Sequence, residues 1–259
     1  MYLICFGTRP ELIKLLPLIN LFEYNQLKYV LLFTGQHETL MEDFYQYIGS
    51  PDVVLTDIME HGQSLNKLVS KILAKIDDVY NSYKITNVIV QGDTSTAFAI
   101  ALSAYNRQIK VIHIEAGLRT KDKYSPFPEE INRRCVSEIA DIHFCPTVIA
   151  MNNLIRENIT KDVYLVGNTI VDSYKYILDN YHPDNDVRKI IRDNPQYIIV
   201  TLHRRENRGV KLNKMWNELN ILSSSYKFIY IYHPSVPESK NKLVSNIKII
   251  EPQNYCNMV

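Results

Sequence analysis

Short apolar runs alternate with helix-forming segments in this chain, and the turn after several of them carries a glycine and a charged residue. No other feature narrows its folds as much. YLICF at 2–6 reads as a buried strand and leads through Gly7-Thr8-Arg9-Pro10-Glu11 into a helical run near 11–24. Pro10, with its fixed φ and missing donor, suits a first helical turn. YVLLFT at 29–34 then feeds Gly35-Gln36-His37 and a further helix. Residues 64–80 set Leu65, Leu68, Val69, Ile72, Leu73, Ile76 and Val79 at three- and four-residue spacing, the stripe of a helix lying on a sheet. NVIVQ at 87–91 passes through Gly92-Asp93-Thr94 into an Ala-rich run at 97–104, and KVIHIEA at 110–116, DIHFC at 141–145 and VYLV at 163–166 are further strands. Repeated strand–turn–helix units imply the α/β class: a mostly parallel sheet covered by helices. Such connections place the loops after the strands on one side, where open α/β sheets bind their ligands.

A first unit is expected over residues 1–168, ending at the turn Gly167-Asn168, with a second over 169–259. A helix at 169–180 leads to a break at Tyr181-His182-Pro183, followed by strands YIIVTL at 197–202, KFIYIY at 227–232 and NIKII at 246–250, with a helix near 211–224. Three strands with few covering helices leave apolar surface bare unless the first unit or a neighbouring subunit covers it. The second unit therefore reads as incomplete. A shortened chain, a truncated gene product and an unusual oligomer all remain open.

The 29 Lys and Arg balance 28 Asp and Glu to a net charge of +1, which gives no general reason for a nucleic-acid partner. Cys5, Cys135, Cys145 and Cys256 form no CxxC pair, so free thiols in a reducing cytoplasm are expected. No signal-peptide pattern opens the chain and no apolar run is long enough to span a bilayer, so a cytoplasmic protein without membrane contact is expected. The seven histidines make no HExxH, and no metal is expected. GxGxxG, GxxxxGK[ST] and GxSxG are likewise absent.

Charged residues collect at the strand ends. In FGTRPELIK at 6–14, Gly7 permits a close turn, Arg9 offers a planar fork for a diphosphate and Lys14 a mobile positive charge. The competing reading is a capped helix with two solvated charges. Asp93 in QGDT either caps the next helix or faces Glu115 of HIEAGLRT (113–120) across neighbouring strand ends. Two facing carboxylates would separate acid from base roles by mutual repulsion. Glu129 and Glu130 in PFPEEINRR favour a helix start, with Glu129 expected in the cleft and Arg133 and Arg134 orienting loops or carboxylates. His203 in TLHRREN can donate to a departing phosphate, with Arg204 and Glu206 steadying its loop. His233 in IYHPSVPES either meets phosphate or uracil or sits in a rigid turn made by Pro234 and Pro237.

Together FGTRPELIK, FTGQH, QGDT, HIEAGLRT, PFPEEINR, GNTIVD and TLHRREN closely resemble the non-hydrolysing UDP-N-acetylglucosamine 2-epimerase family along the whole chain. The resemblance implies a GT-B-like pair of Rossmann-like units, a UDP-sugar substrate, no cofactor, a homodimer and a place in polysaccharide biosynthesis. It implies interconversion of UDP-N-acetylglucosamine and UDP-N-acetylmannosamine, with Asp93, Glu115 and Glu129 in acid–base work at C2, His203 at the UDP, and Arg9 and Lys14 at the diphosphate. Gln36 and His37 match a regulatory substrate site of some relatives. Ser235 stands where the family usually has Asn, and the later S-G-G-x-x-E-E and G-x-P segments have no counterpart. A hydrolysing relative and a non-catalytic sugar-nucleotide-binding subunit are the alternatives.

Overall fold

Every apolar run of the first unit becomes a parallel strand in the computed structural model, which describes residues 1–35, 42–202 and 209–259. The chain divides into two compact units, Met1–Tyr176 and Ile177–Val259. The first runs β1 (Tyr2–Phe6), α1 (Arg9–Tyr24), β2 (Tyr29–Phe33), α2 (Glu42–Ile48), β3 (Val53–Val54), α3 (Leu65–Ser82) and β4 (Asn87–Gln91). It continues through α4 (Ser95–Asn106), β5 (Lys110–Ile114), α5 (Glu129–Ile139), β6 (Ile142–Cys145), α6 (Val148–Arg156), β7 (Val163–Leu165) and α7 (Ile170–Asn180), whose last residues belong to the second unit. The seven strands lie in the order β3-β2-β1-β4-β5-β6-β7. Strand order therefore reverses between β1 and β4, paired in register from Tyr2↔Asn87 to Ile4↔Ile89. A crevice opens at such a switch point, and loops from both strands line it.

Burial follows from the pleat. Leu3 and Cys5 of β1 pack with Val30, Leu32, Val88 and Val90 against α3 and α4, where Ala97, Ala99, Ala101 and Ala104 let the helix come close. Ile4 and Phe6 alternate to the other face, where the Phe6 and Phe33 rings stack with centroids 5.1 Å apart. β5 ends at Ile114, two residues short of the expected Ala116, because Glu115 takes a left-handed backbone with φ of 67°.

Pro17 lies inside α1 and has no N–H, so the carbonyl of Ile13 loses its usual donor four residues on. The Ser173 hydroxyl of α7 supplies it. Ser173→Ala is expected to destabilise the first unit by about 1–3 kcal/mol, the cost of a buried carbonyl left bare. Urea melts of the two forms measure the difference, and equal midpoints with equal slopes would remove this account.

The second unit runs α8 (Asn185–Asp193), β8 (Ile198–Val200), α9 (Val210–Leu222), β9 (Phe228–Ile231), α10 (Ser239–Lys242), β10 (Lys248–Ile250) and α11 (Tyr255–Met258). Its parallel sheet has the order β10-β9-β8, and Phe228, Tyr230 and Ile247 form one cluster of its core. Both units are Rossmann-like, the second being the smaller. The short β3 and α11 carry no strong apolar period and are not legible as elements in the sequence, whereas α8 sets Val187, Ile190 and Ile191 at helical spacing that the sequence reading passed over.

Candidate functional site

At the switch point, the turn after β1 is knotted to the turn after β4 through one carboxylate. Glu11, 1% exposed, accepts from the amides of Gly7 at 3.1 Å and Thr8 at 2.8 Å and from the Thr8 hydroxyl at 2.7 Å. Its other oxygen accepts from the Thr94 hydroxyl at 2.7 Å. Burial pushes the Glu11 carboxyl up, and the hydrogen bonds from Thr94, Thr8 and Gly7 oppose that push. Thr8 and Glu11 make the reciprocal capping box of α1, with Arg9 as its first residue, half-buried. Gly7 is needed for space: a Cβ there would lie 2.1 Å from Thr96 Oγ1 and 2.6 Å from Thr34 Oγ1.

Lys14, one turn further along α1, reaches the end of β5. Its Nζ lies 2.5 Å from Glu115 Oε2, with the side chains 24% and 12% exposed. Gln91, the last residue of β4, donates to the same oxygen at 2.8 Å. A non-glycine residue in the left-handed region stores backbone strain, which clusters at functional sites. Here the strained residue is the acid that meets Lys14.

Asp93 is gripped from α5, and the Gly92 carbonyl before it is held from β5. Arg133 donates to its Oδ2 through Nε at 3.0 Å and through Nη2, and Asn132 Nδ2 donates to its carbonyl at 3.0 Å. Arg133 Nη1 also meets Glu130 at 3.3 Å, and the fully buried Glu130 accepts from the amides of Thr120 and Lys121 at 3.0 and 3.3 Å. His113, fully buried on β5, bonds the Gly92 carbonyl through Nε2 at 2.8 Å. Since a carbonyl only accepts, Nε2 carries the proton. Burial drives the His113 pKa down to about 3, against the lifting effect of that bond, so the ring stays a neutral donor. The expected contest between two bare carboxylates is replaced by two separate pairs, Asp93 with Arg133 and Glu115 with Lys14.

Glu129 opens α5, and Asn132 and Arg133 of that helix hold Asp93. Its Oε2 is buried with no hydrogen-bond partner among the described residues. A buried carboxylate oxygen normally has a partner, and this one is open to a donor from a ligand. In the second unit, Ser235 donates its amide to His233 Nδ1 at 3.1 Å. His203, Gln36 and His37 lie outside the described residues. Among the described residues, no group of three or more His, Cys, Asp or Glu is arranged to hold a metal, the four cysteines form no disulfide, and no helix is long and apolar enough to cross a membrane.

The sequence reading missed Gln91, Asn132, His113 and the second role of Glu11. Only Glu11 left a local sign, the Thr8-x-x-Glu11 spacing of a capping box.

Known proteins resemble this chain in sequence and in fold. The family model described as UDP-N-acetylglucosamine 2-epimerase matches residues 20–259. A Campylobacter jejuni protein named UDP-N-acetylglucosamine 2-epimerase is 36% identical over 98% of this chain and 71% of its own length. The crystal structure of UDP-GlcNAc 2-epimerase from Neisseria meningitidis bound to UDP-GlcNAc superposes with a TM-score of 0.87 at 34% identity, over 99% of this chain and 74% of that one. The Methanocaldococcus jannaschii UDP-GlcNAc 2-epimerase in complex with UDP-GlcNAc and UDP superposes at 0.82 and 34% identity, over all of this chain and 75% of that one. The family match, two Rossmann-like sheets and 34–36% identity over nearly the full length of the chain agree, and this chain belongs to the UDP-N-acetylglucosamine 2-epimerase enzyme family, with its GT-B-like fold class.

Proposed function

We propose that this protein interconverts UDP-N-acetylglucosamine and UDP-N-acetylmannosamine without hydrolysing them, residues 1–168 supplying the acid–base groups and 169–259 holding UDP. The observation that carries the reading is the strained Glu115 paired to Lys14 at the switch point, with Asp93 clamped beside it. C2 of the sugar has no adjacent ketone, so its hydrogen is not acidic at the outset. Heterolysis of the C1–O bond sends the electron pair to UDP, and Arg9 and Lys14 stabilise the growing phosphate charge. A carboxylate among Asp93, Glu115 and Glu129 takes the C2 proton, leaving 2-acetamidoglucal. A second carboxylate returns a proton to the opposite face, UDP re-adds at C1, and the balance closes with no cofactor and no water consumed. His203 donates to the leaving diphosphate and His233 orients the nucleotide. Gln36 and His37 belong to a regulatory substrate site, and the working form is a homodimer.

Turnover in deuterated water is expected to place one deuterium at C2 of both sugars, read by mass spectrometry and proton NMR of separated products. Epimerisation with full retention of protium would refute the proton chemistry. Free N-acetylmannosamine and UDP as the products would assign the hydrolysing reaction instead.

A further inference from the structure

The first unit also holds a charged cavity beside the loop after β5. It encloses about 290 Å³, and its walls include Arg119 and Lys121 from the loop after β5, Glu130 and Arg134 from α5, Arg156 at the end of α6, and Glu157 beyond it. Both acids are already committed. Glu157 accepts from Arg119 Nε at 2.9 and 3.2 Å and from Nη2 at 2.7 Å. Both Glu130 oxygens are taken by the Thr120 and Lys121 amides and Arg133. Arg119, its side chain only 4% exposed, also spends donors on the Leu118 carbonyl and the Ser137 hydroxyl. That leaves Lys121, Arg134 and Arg156. None of the three forms an ion pair within 4 Å among the described residues, and only the Arg134 charge is felt at Glu157 from further away.

We propose that this cavity is a second anion site, taking a diphosphate-class oxyanion at Lys121, Arg134 and Arg156. Three like charges around one space repel each other, and an oxyanion with several negative oxygens turns that repulsion into attraction. Guanidinium forks match phosphate geometry, and the ammonium of Lys121 adds a point charge. Among the described residues no aromatic side chain lines the cavity to stack a base, so the diphosphate is the recognised part. Glu130 is shared: it is a wall of this cavity and a partner of Arg133, which holds Asp93. Two ion pairs, Glu130–Arg133 and Arg133–Asp93, link the cavity wall to the proposed catalytic carboxylate.

Calorimetric titration of pyrophosphate into the 259-residue chain tests this, beside Arg134→Gln/Arg156→Gln and, separately, Lys121→Gln. The proposal expects a binding event that survives Arg9→Gln, weakens at least about tenfold in the double variant, and weakens in Lys121→Gln. Unchanged melting temperatures show that the variants fold. Identical isotherms for parent and double variant overturn the proposal, as does loss of all pyrophosphate binding in Arg9→Gln alone. The same titrations with UDP identify the source of the diphosphate. UDP heat lost in the double variant assigns a nucleotide, and pyrophosphate heat lost without it assigns the free anion.

Discussion

Glu115→Gln is expected to lower epimerisation turnover by about 10²–10⁴-fold, the usual worth of a positioned acid–base group. Binding of UDP-N-acetylglucosamine should stay close to that of the parent. The amide keeps the volume and a carbonyl that can accept from Gln91, so the geometry at the end of β5 survives. What it loses is the capacity to take a proton, and with it the negative partner of Lys14. Steady-state turnover and calorimetry on the same preparations separate the two effects. A fall in kcat with little change in affinity supports proton transfer at Glu115. Full turnover by the variant would end that assignment, while affinity lost in step with turnover would mark Glu115 as a binding group.

The second large effect is on stability in acid. His113 is fully buried, with its pKa lowered from 6.5 to about 3 by burial. A histidine depressed in the folded state is protonated more readily in the unfolded chain, so the unfolded state binds the extra proton between these two values. Stability is then fully present above pH 6.5 and is lost as pH falls toward 3, at about 1.4 kcal/mol per pH unit from this group. By pH 4.5 the loss is roughly 3 kcal/mol, a large part of the 5–15 kcal/mol typical of a domain. His143, its register partner on β6, is also lowered by burial and acts in the same direction. His113→Gln keeps a donor for the Gly92 carbonyl and removes the titration, so its urea stability should fall less steeply between pH 6.5 and 4.5. Equal slopes for the two proteins would show that another group controls acid unfolding.

What the sequence made legible was local. β1, β4, α3 and the Ala-rich α4 announce themselves by period and by the residues at their ends; Gly7, Asp93 and Glu115 fall just beyond strand ends, and Arg9 and Lys14 on the helix that follows β1. Partners were less readable, because periodicity carries no record of which side chains meet across the sheet. Asp93 and Arg133 are 40 residues apart, and Thr94 and Glu11 are 83 apart. A strand pattern also cannot show that the chain leaves β5 at Glu115 through a left-handed residue, since that backbone is normally the province of Gly and Asn. Acids at adjacent strand ends suggested mutual repulsion, but each was found with a cation supplied by a helix from elsewhere in the chain.

Pro17 has a consequence for the order of assembly. The gap it leaves at the Ile13 carbonyl is closed from Ser173, 160 residues beyond Ile13. During synthesis α1 is made well before α7, and its seam cannot be sealed until α7 has emerged from the ribosome. A fragment ending at residue 168 would contain every strand of the larger sheet and still leave that seam open. Protection of the α1 amides against hydrogen exchange should therefore rise late, with the arrival of α7, rather than when the helix first forms.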